Sequence, residues 1–502
     1  MSSIRVHQGT KDLELPLKAG ETLLALLRAG GISLPAACGG KGRCGKCRVE
    51  YNGAPRLACR VFPQDGDRVV LPEQSGGLIL TETRASPVFQ AGGTGCAAAV
   101  DLGTTTVAVR IYDLAKGEEV ASAAAWNLQA PYGADVISRI QYTLEREEGL
   151  RELSRCIREQ VMQQIRRGME GCGRPVEQVQ RIFLAGNTAM QLLFAGRPVR
   201  GLASAPFRPD TLFREQQGDR LYNIPVSYAP CVSGFVGGDI TAGLLASGLG
   251  QRRGNFLFLD IGTNGEMALG GADGYLCCSV ASGPAFEGGG ISCGMPGMDG
   301  AVSHVRYDRG FLYDVIGGGP AKGLCGSGLL DLAAGLLRLG LLDESGRLLP
   351  PEEAPAELGR YLVRDGDGNG LFRLTADVVL TAGDVRSLQL AKAAVAAGIR
   401  VLLEQRGLTA EKLDGIYLAG GFGSYLSPDS AAAIGMLPAI PRDRLHSLGN
   451  TALAGAAMAA ADPEMERQMA AVANGCRYVE LAGRGDFAAA FVECMRFGSG
   501  GS

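Results

Sequence analysis

The feature that most constrains this chain is a pattern that occurs twice. A run of buried-strand residues ends on aspartate, turns through glycine and threonine, and returns as a second apolar strand. It reads AAAVDLGTTTVAVRIYDL from Ala97 and NFLFLDIGTNGEMALG over 255–270. Two such hairpins about 160 residues apart imply a duplicated fold. In each, an aspartate is placed to organise Mg²⁺ and its waters, Asp101 in the first and Asp260 in the second. The turns offer N–H and hydroxyl donors to phosphate oxygens, from Gly103, Thr104, Thr105 and Thr106 and then from Gly262, Thr263 and Asn264. Glu266, on the second returning strand, is a further candidate catalytic carboxylate.

A third element, GIYLAGGFGS over 415–424, is a strand running into a glycine turn. There Gly420, Gly421 and Gly423 expose bare backbone against which an adenosine could lie. Gly326 and Ser327, in GLCGSGLLD, mark a helix start where the hydroxyl would cap the helix or touch phosphate. Asp239, in GGDITAG, would either face the same cleft or cap the helix before Ile240. Each hairpin alone could be an ordinary strand-to-helix turn; three elements in this order are far more specific. His304 follows a glycine-rich stretch and is read as structural.

The N-terminal part carries different chemistry. A strand at Ile4–Val6, another around Leu13–Leu17 and a short helix over Glu21–Ala29 lead into the loop CGGKGRCGKC, with LAC further on. That order is the ubiquitin-like β-grasp pattern. Cys38, Cys44, Cys47 and Cys59 are spaced C-x5-C-x2-C-x11-C, one residue longer in the first gap than the plant-type [2Fe–2S] spacing. Glycines 39, 40, 42 and 45 let the loop wrap a cluster and aim N–H groups at its sulfurs. Four thiolates would also suit structural zinc, but zinc sites usually pair two CxxC knuckles and this loop has one. The ten other cysteines show no second ligand spacing and read as core thiols.

With 502 residues the chain has room for about three domains. The boundaries read as a [2Fe–2S] β-grasp domain over 1–77, a linker over 78–96, one lobe over 97–250, a second over 251–495 and a flexible tail over 496–502. The 49 basic and 52 acidic residues are interspersed, giving a net charge of -3 and no nucleic-acid footprint. No uncharged apolar run reaches the ~18 residues that span a bilayer, and no signal peptide opens the sequence. The expectation is a cytoplasmic protein, with no membrane and no nucleic-acid partner.

The two hairpins and the glycine turn together resemble the actin, Hsp70 and sugar-kinase superfamily. Asp101 to Thr105 match its first phosphate element, Asp260 to Asn264 its second and Ala419 to Gly423 its adenosine motif. The resemblance implies two α/β lobes of ribonuclease H-like fold closing over Mg-ATP. Adding the cysteine loop and the segments LAGNTAM, FVGGDITAG, ASGPAFEGGGI and GLCGSGLLD, the whole arrangement is similar to the reductive activators of corrinoid proteins. That resemblance implies ATP-dependent transfer of one electron to Co(II), regenerating Co(I) for methyl transfer. It also implies a corrinoid protein as acceptor, reduced ferredoxin or a similar donor, and a homodimer. Other readings stay open here: an ATP-dependent donor to another low-potential enzyme, a redox-sensing ATP-binding module, or a small-molecule kinase, which would leave the cluster unexplained.

Overall fold

The computed structural model describes residues 3–71, apart from 9, 10, 19, 31, 33 and 35–46, and 93–498, apart from 216, 217 and 367. The first unit contains β1 (Ser3–Gln8), β2 (Lys11–Pro16), α1 (Leu23–Ala29), β3 (Arg48–Tyr51), β4 (Ala54–Leu57) and β5 (Arg68–Val70). Its sheet order is β2-β1-β5-β3-β4, with β1 and β5 parallel at the centre, the β-grasp arrangement expected. Leu23, Leu24 and Leu27 of α1 are buried against Ile4, Val6 and Val69. Each such leucine contributes about 1.5–3 kcal/mol, which is what holds so small a sheet together.

The first hairpin is β6 (Cys96–Leu102) with β7 (Thr106–Asp113), continued by β8 (Glu118–Trp126). Then come α2 (Val136–Glu145), α3 (Gly149–Gly171), β9 (Val179–Gly186), α4 (Thr188–Phe194), β10 (Arg220–Leu221), β11 (Ile224–Tyr228) and α5 (Gly238–Ser247). The sheet runs β10-β11-β9-β6-β7-β8, with β6, β9 and β11 parallel and β6-β7-β8 an antiparallel meander. The linker expected to reach residue 96 ends earlier. Leu114 donates to the Gly95 carbonyl, and Cys96 is buried within β6 because the strand needs its ladder partner Asp113.

The second meander is β12 (Phe256–Ile261), β13 (Gly265–Gly271) and β14 (Gly274–Val280). Two small sheets follow, one from β15 (Ala301–Tyr307), β16 (Phe311–Val315) and β17 (Gly323–Leu324), the other from β18 (Leu362–Arg364), β19 (Gly370–Arg373) and β20 (Val379–Leu380). Helices α6 (Gly326–Arg338), α7 (Ala356–Gly359) and α8 (Ala382–Arg406) accompany them. The chain then adds β21 (Gly415–Ala419), α9 (Gly420–Tyr425), α10 (Pro428–Ala433), β22 (Leu445–Gly449), α11 (Thr451–Ala461), α12 (Pro463–Gly475), β23 (Cys476–Tyr478) and α13 (Gly485–Glu493). The sheet order β22-β21-β12-β13-β14-β23 repeats the plan of the first lobe, a three-strand meander extended by parallel strands beside its first member. No helix among the described residues is long and apolar enough to cross a membrane.

The lobes are not separate along the chain. Helix α11 lies on the first sheet, its Leu453, Ala456 and Ala457 among Ala97, Ala99, Ala108 and Phe183. Helix α5 carries Ile240 and Leu244 onto Phe256, Phe258 and Ala268 of the second. The two helices cross so closely that a Cβ on Gly455 would sit 2.0 Å from the Ala242 carbonyl oxygen. The tail expected from residue 496 is also corrected. Phe497 is buried and donates its N–H to the Glu344 carbonyl, while the buried Lys392 ammonium binds the Arg496 carbonyl, because burying that lysine requires an acceptor.

Replacing Gly455 by Val should force α5 and α11 apart and cost about 1–3 kcal/mol or more. Gly335→Ala in α6, where an added Cβ meets nothing within 4 Å, should instead be neutral or stabilising by up to about 1 kcal/mol. Urea unfolding of the two variants beside the parent measures both.

Candidate functional site

Both hairpin tips converge on one acidic cleft. In β12–β13 the register sets Asp260 directly opposite Glu266, two like charges that a sheet ordinarily avoids. The equivalent pair of the first hairpin is Asp101 opposite Ala108, so only the second hairpin carries two carboxylates. Asp239 joins them from the first turn of α5. Gly237 takes the N-cap position there, which corrects the reading of Asp239 as the cap. Glu287, in the short turn Pro284–Glu287, completes the group and accepts a hydrogen bond from the Thr263 hydroxyl at 2.7 Å.

Burial raises every one of these carboxyls, and repulsion by neighbouring carboxylates adds to it at Asp260, Asp239 and Glu266. Asp260 is pushed up to about 7 by burial, then by Asp101 and Glu287. Asp101 reaches about 6 through burial, moderated by a 2.7 Å hydrogen bond from Asn450 Nδ2. Asp239 is raised by burial and by Asp260 and Asp101, Glu266 by burial and by Asp239 and Asp260. Glu287 is raised by burial against its bond to Thr263. Among the described residues no lysine or arginine pairs with any of the five. A divalent cation is the group whose binding would relieve this repulsion, and Asp101 and Asp260 have the hard-oxygen chemistry to hold one.

The turns themselves are pinned from behind. The Gly103 carbonyl accepts from Asn127 Nδ2 at 2.8 Å, the Thr104 carbonyl from Arg139 Nη2 at 2.6 Å and the Thr105 carbonyl from the Asn127 N–H at 2.9 Å. Asn187 Nδ2 binds the Thr104 hydroxyl at 3.0 Å. In the second turn the Ser282 hydroxyl bonds the Gly262 carbonyl at 3.1 Å and also reaches that of Thr263. These bonds engage the carbonyls of both turns, and in the second the Gly262 N–H donates to the Asn264 carbonyl at 2.8 Å, so the donors for an anion belong chiefly to the first turn.

The glycine element differs from the turn expected: β21 passes straight into the short helix α9. Gly420, at φ +77°, lies so near Asp260 that a Cβ there would fall 2.4 Å from Oδ1. Gly421 is exposed, and Gly423 is buried against Leu418. Gly326 packs against Phe422 of α9, which stacks on Phe286. Ser327 neither caps α6 nor offers its hydroxyl to a ligand, since that hydroxyl donates to the Ser303 carbonyl at 2.8 Å. His304 is held by Asp331 at 3.0 Å, a structural contact.

Of the cluster cysteines, Cys38 and Cys44 lie outside the described residues. Cys47 and Cys59 are buried, and the Cys47 carbonyl accepts from the Ala58 N–H at 2.8 Å, which brings the two ligand segments together. Sequence reading missed Glu287, Asn450, Asn187, Asn127 and Arg139. A signal for two of them was present: GNTA occurs at 186–189 and again at 449–452, and both asparagines cap helices while donating to the first hairpin.

The raised carboxyls fix the sign of a pH effect. A carboxyl whose folded pKa exceeds its unfolded value binds more protons when folded, so stability falls as pH rises from about 4 toward 7. In protein free of metal and nucleotide, Asp260→Asn should therefore raise the thermal midpoint at pH 8, with the gain shrinking toward pH 4.5. A variant less stable than the parent at pH 8 would contradict stored repulsion at this site.

Family models match nearly the whole chain. That of the 2Fe-2S iron-sulfur cluster binding domain matches residues 6–64, that of the RACo middle region 96–252, and that of the C-terminal ASKHA domain of RACo 254–500. The chain is 33% identical over 416 residues to the corrinoid activation enzyme RamQ of Eubacterium limosum, covering 80% of this chain and 70% of that protein. It is 25% identical over 397 residues to the [Co(II) methylated amine-specific corrinoid protein] reductase of Methanosarcina barkeri, covering 71% and 68%. A solved reductive activator for corrinoid,iron-sulfur protein aligns with a TM-score of 0.72 at 27% identity, over 99% of this chain and 98% of that one. With a β-grasp domain ahead of two hairpin-bearing lobes, and with these relatives, the chain belongs to the family of reductive activators of corrinoid proteins.

Proposed function

We propose that this protein uses ATP to return the cobalt of a corrinoid protein from Co(II) to Co(I) by one electron, readying it for methyl transfer. The observation that carries this reading is the union in one chain of a cluster-type cysteine loop with a repulsive carboxylate cleft between two pinned phosphate turns. A [2Fe–2S] cluster bound by Cys38, Cys44, Cys47 and Cys59 supplies a one-electron carrier. The reduction is uphill from an ordinary ferredoxin donor. Each factor of ten in a one-electron equilibrium is worth about 59 mV, or about 1.4 kcal/mol, so nucleotide binding and hydrolysis must contribute several such factors through conformational coupling.

In this reading the residues divide the labour. Asp101 and Asp260 hold Mg²⁺ and its waters. The N–H groups and hydroxyls around Gly103 to Thr106 grip the phosphates together with backbone around Gly262 to Asn264, where the Thr263 hydroxyl is committed to Glu287. Gly420 and Gly421 take the adenosine beside the backbone of Gly326, and Gly423, buried against Leu418, lets α9 pack close behind them. Glu266, its carboxyl raised by burial and by Asp239 and Asp260, accepts the proton of the attacking water. The electron donor is reduced ferredoxin or a protein like it, the active form is a homodimer, and the setting is the cytoplasm.

The test mixes the reduced protein with a Co(II) corrinoid protein encoded nearby, with and without Mg-ATP, and follows Co(I) absorbance. Co(I) should form only with nucleotide, and its absence with every such partner would sink the proposal. Cys47→Ser should abolish reduction and leave ATP binding intact. Asp260→Ala should remove Mg-ATP binding and leave the cluster's visible spectrum unchanged. Identical losses in both variants would refute the division of labour.

A further inference from the structure

Arg139 is a fully buried cation that has no carboxylate partner among the described residues. Its guanidinium reaches only neutral groups: Nε donates to the Gly133 carbonyl at 3.0 Å, Nη1 to Gln129 Oε1 at 3.2 Å and to Met190 Sδ at 3.1 Å, and Nη2 to the Thr104 carbonyl at 2.6 Å. Asp135, the acidic residue whose field it feels, is occupied as the capping-box residue of α2 with Ser138. Burial alone draws the guanidinium down to about 10, a displacement seldom imposed on arginine. A buried charge left uncompensated is among the costliest features a fold can carry. This one is bonded to the Thr104 carbonyl of the first turn.

Its surroundings are built for the purpose. Gln129 is itself fully buried and held by the Leu153 carbonyl at 2.9 Å, and Asn127, buried beside it, fixes the Gly103 and Thr105 carbonyls. The turn therefore has its carbonyl oxygens tied to a rigid polar floor with a single positive charge at its centre. Resting on the reading of this turn as a phosphate loop, we infer that Arg139 is the positioning residue of the first hairpin, orienting the Thr104 peptide and supplying from beneath the charge that nucleotide phosphate completes. It touches no substrate itself, and its influence falls on the charged part of the ligand and not on the base.

The test is the ratio of Mg-ATP to adenosine affinity, measured by equilibrium titration on the full chain well below its unfolding temperature. Arg139→Met should lower that ratio about tenfold or more, with adenosine affinity unchanged, and Arg139→Lys should recover part of the loss. A strut with no electrostatic role would lower the thermal midpoint and leave the ratio where it was, and that result overturns the inference. Should the methionine variant not fold, the lysine variant decides: a fall of about threefold or more supports the inference and an unchanged ratio overturns it. Parent protein that binds no ATP would defeat the reading of the cleft and this inference with it. Parent protein that binds ATP with a ratio indifferent to both substitutions would defeat this inference alone.

Discussion

Like-charge repulsion at the tips of two hairpins organises this molecule. A fold that brings Asp101, Asp239, Asp260, Glu266 and Glu287 together, with no lysine or arginine paired to them among the described residues, spends stability at the place where it is to work. The cost is tolerable because each carboxylate is held by an element the core already secures: two in meander strands, one on the first turn of a buried helix, one opposite Asp260 in the ladder, one in a turn tied to Thr263.

The duplication gives this arrangement its shape, and the departures from symmetry give it direction. Both lobes build a three-strand meander flanked by parallel strands, yet only the second sets a glutamate opposite its aspartate. The first lobe has in its place a polar floor of Asn127, Gln129 and Arg139. One hairpin is thus enriched in negative charge and the other backed by positive charge.

Much of this was legible in the sequence because local chemistry announces itself locally. The two hairpins follow from apolar runs ending on aspartate, and the order of elements in the first domain follows from period and glycine stops. What escaped depends on contacts between distant segments. Glu287 stands in a glycine-rich loop and shows its role only when that loop meets Thr263. Asn450 lies 349 positions from the carboxylate it holds. Arg139 carries no mark in its own segment, and its role shows only when α2 brings it to the Thr104 carbonyl. The exchange of α5 and α11 between lobes leaves no periodic mark, since a helix of alanines and glycines reads the same whichever sheet it covers. The burial of Phe497 escaped because the polar Gly-Ser run just after it set the expectation for its neighbours.

The position of α11 bears on how the protein is made. The face of the first sheet formed by Ala97, Ala99, Ala108 and Phe183 is covered by residues 451–461, and Asn450 at the head of that helix steadies Asp101. During synthesis the first lobe emerges complete in strands but with this face covered only in part, by Ala242 and Leu245 of α5. It stays so while some two hundred further residues are translated, from α5 to α11. That face is mostly alanine, with Phe183 and Tyr112 its large side chains, so it presents less to stick to than one studded throughout with leucine. The small side chains that let two helices pass close together in the finished protein also keep its half-built form from being a strong hydrophobic surface.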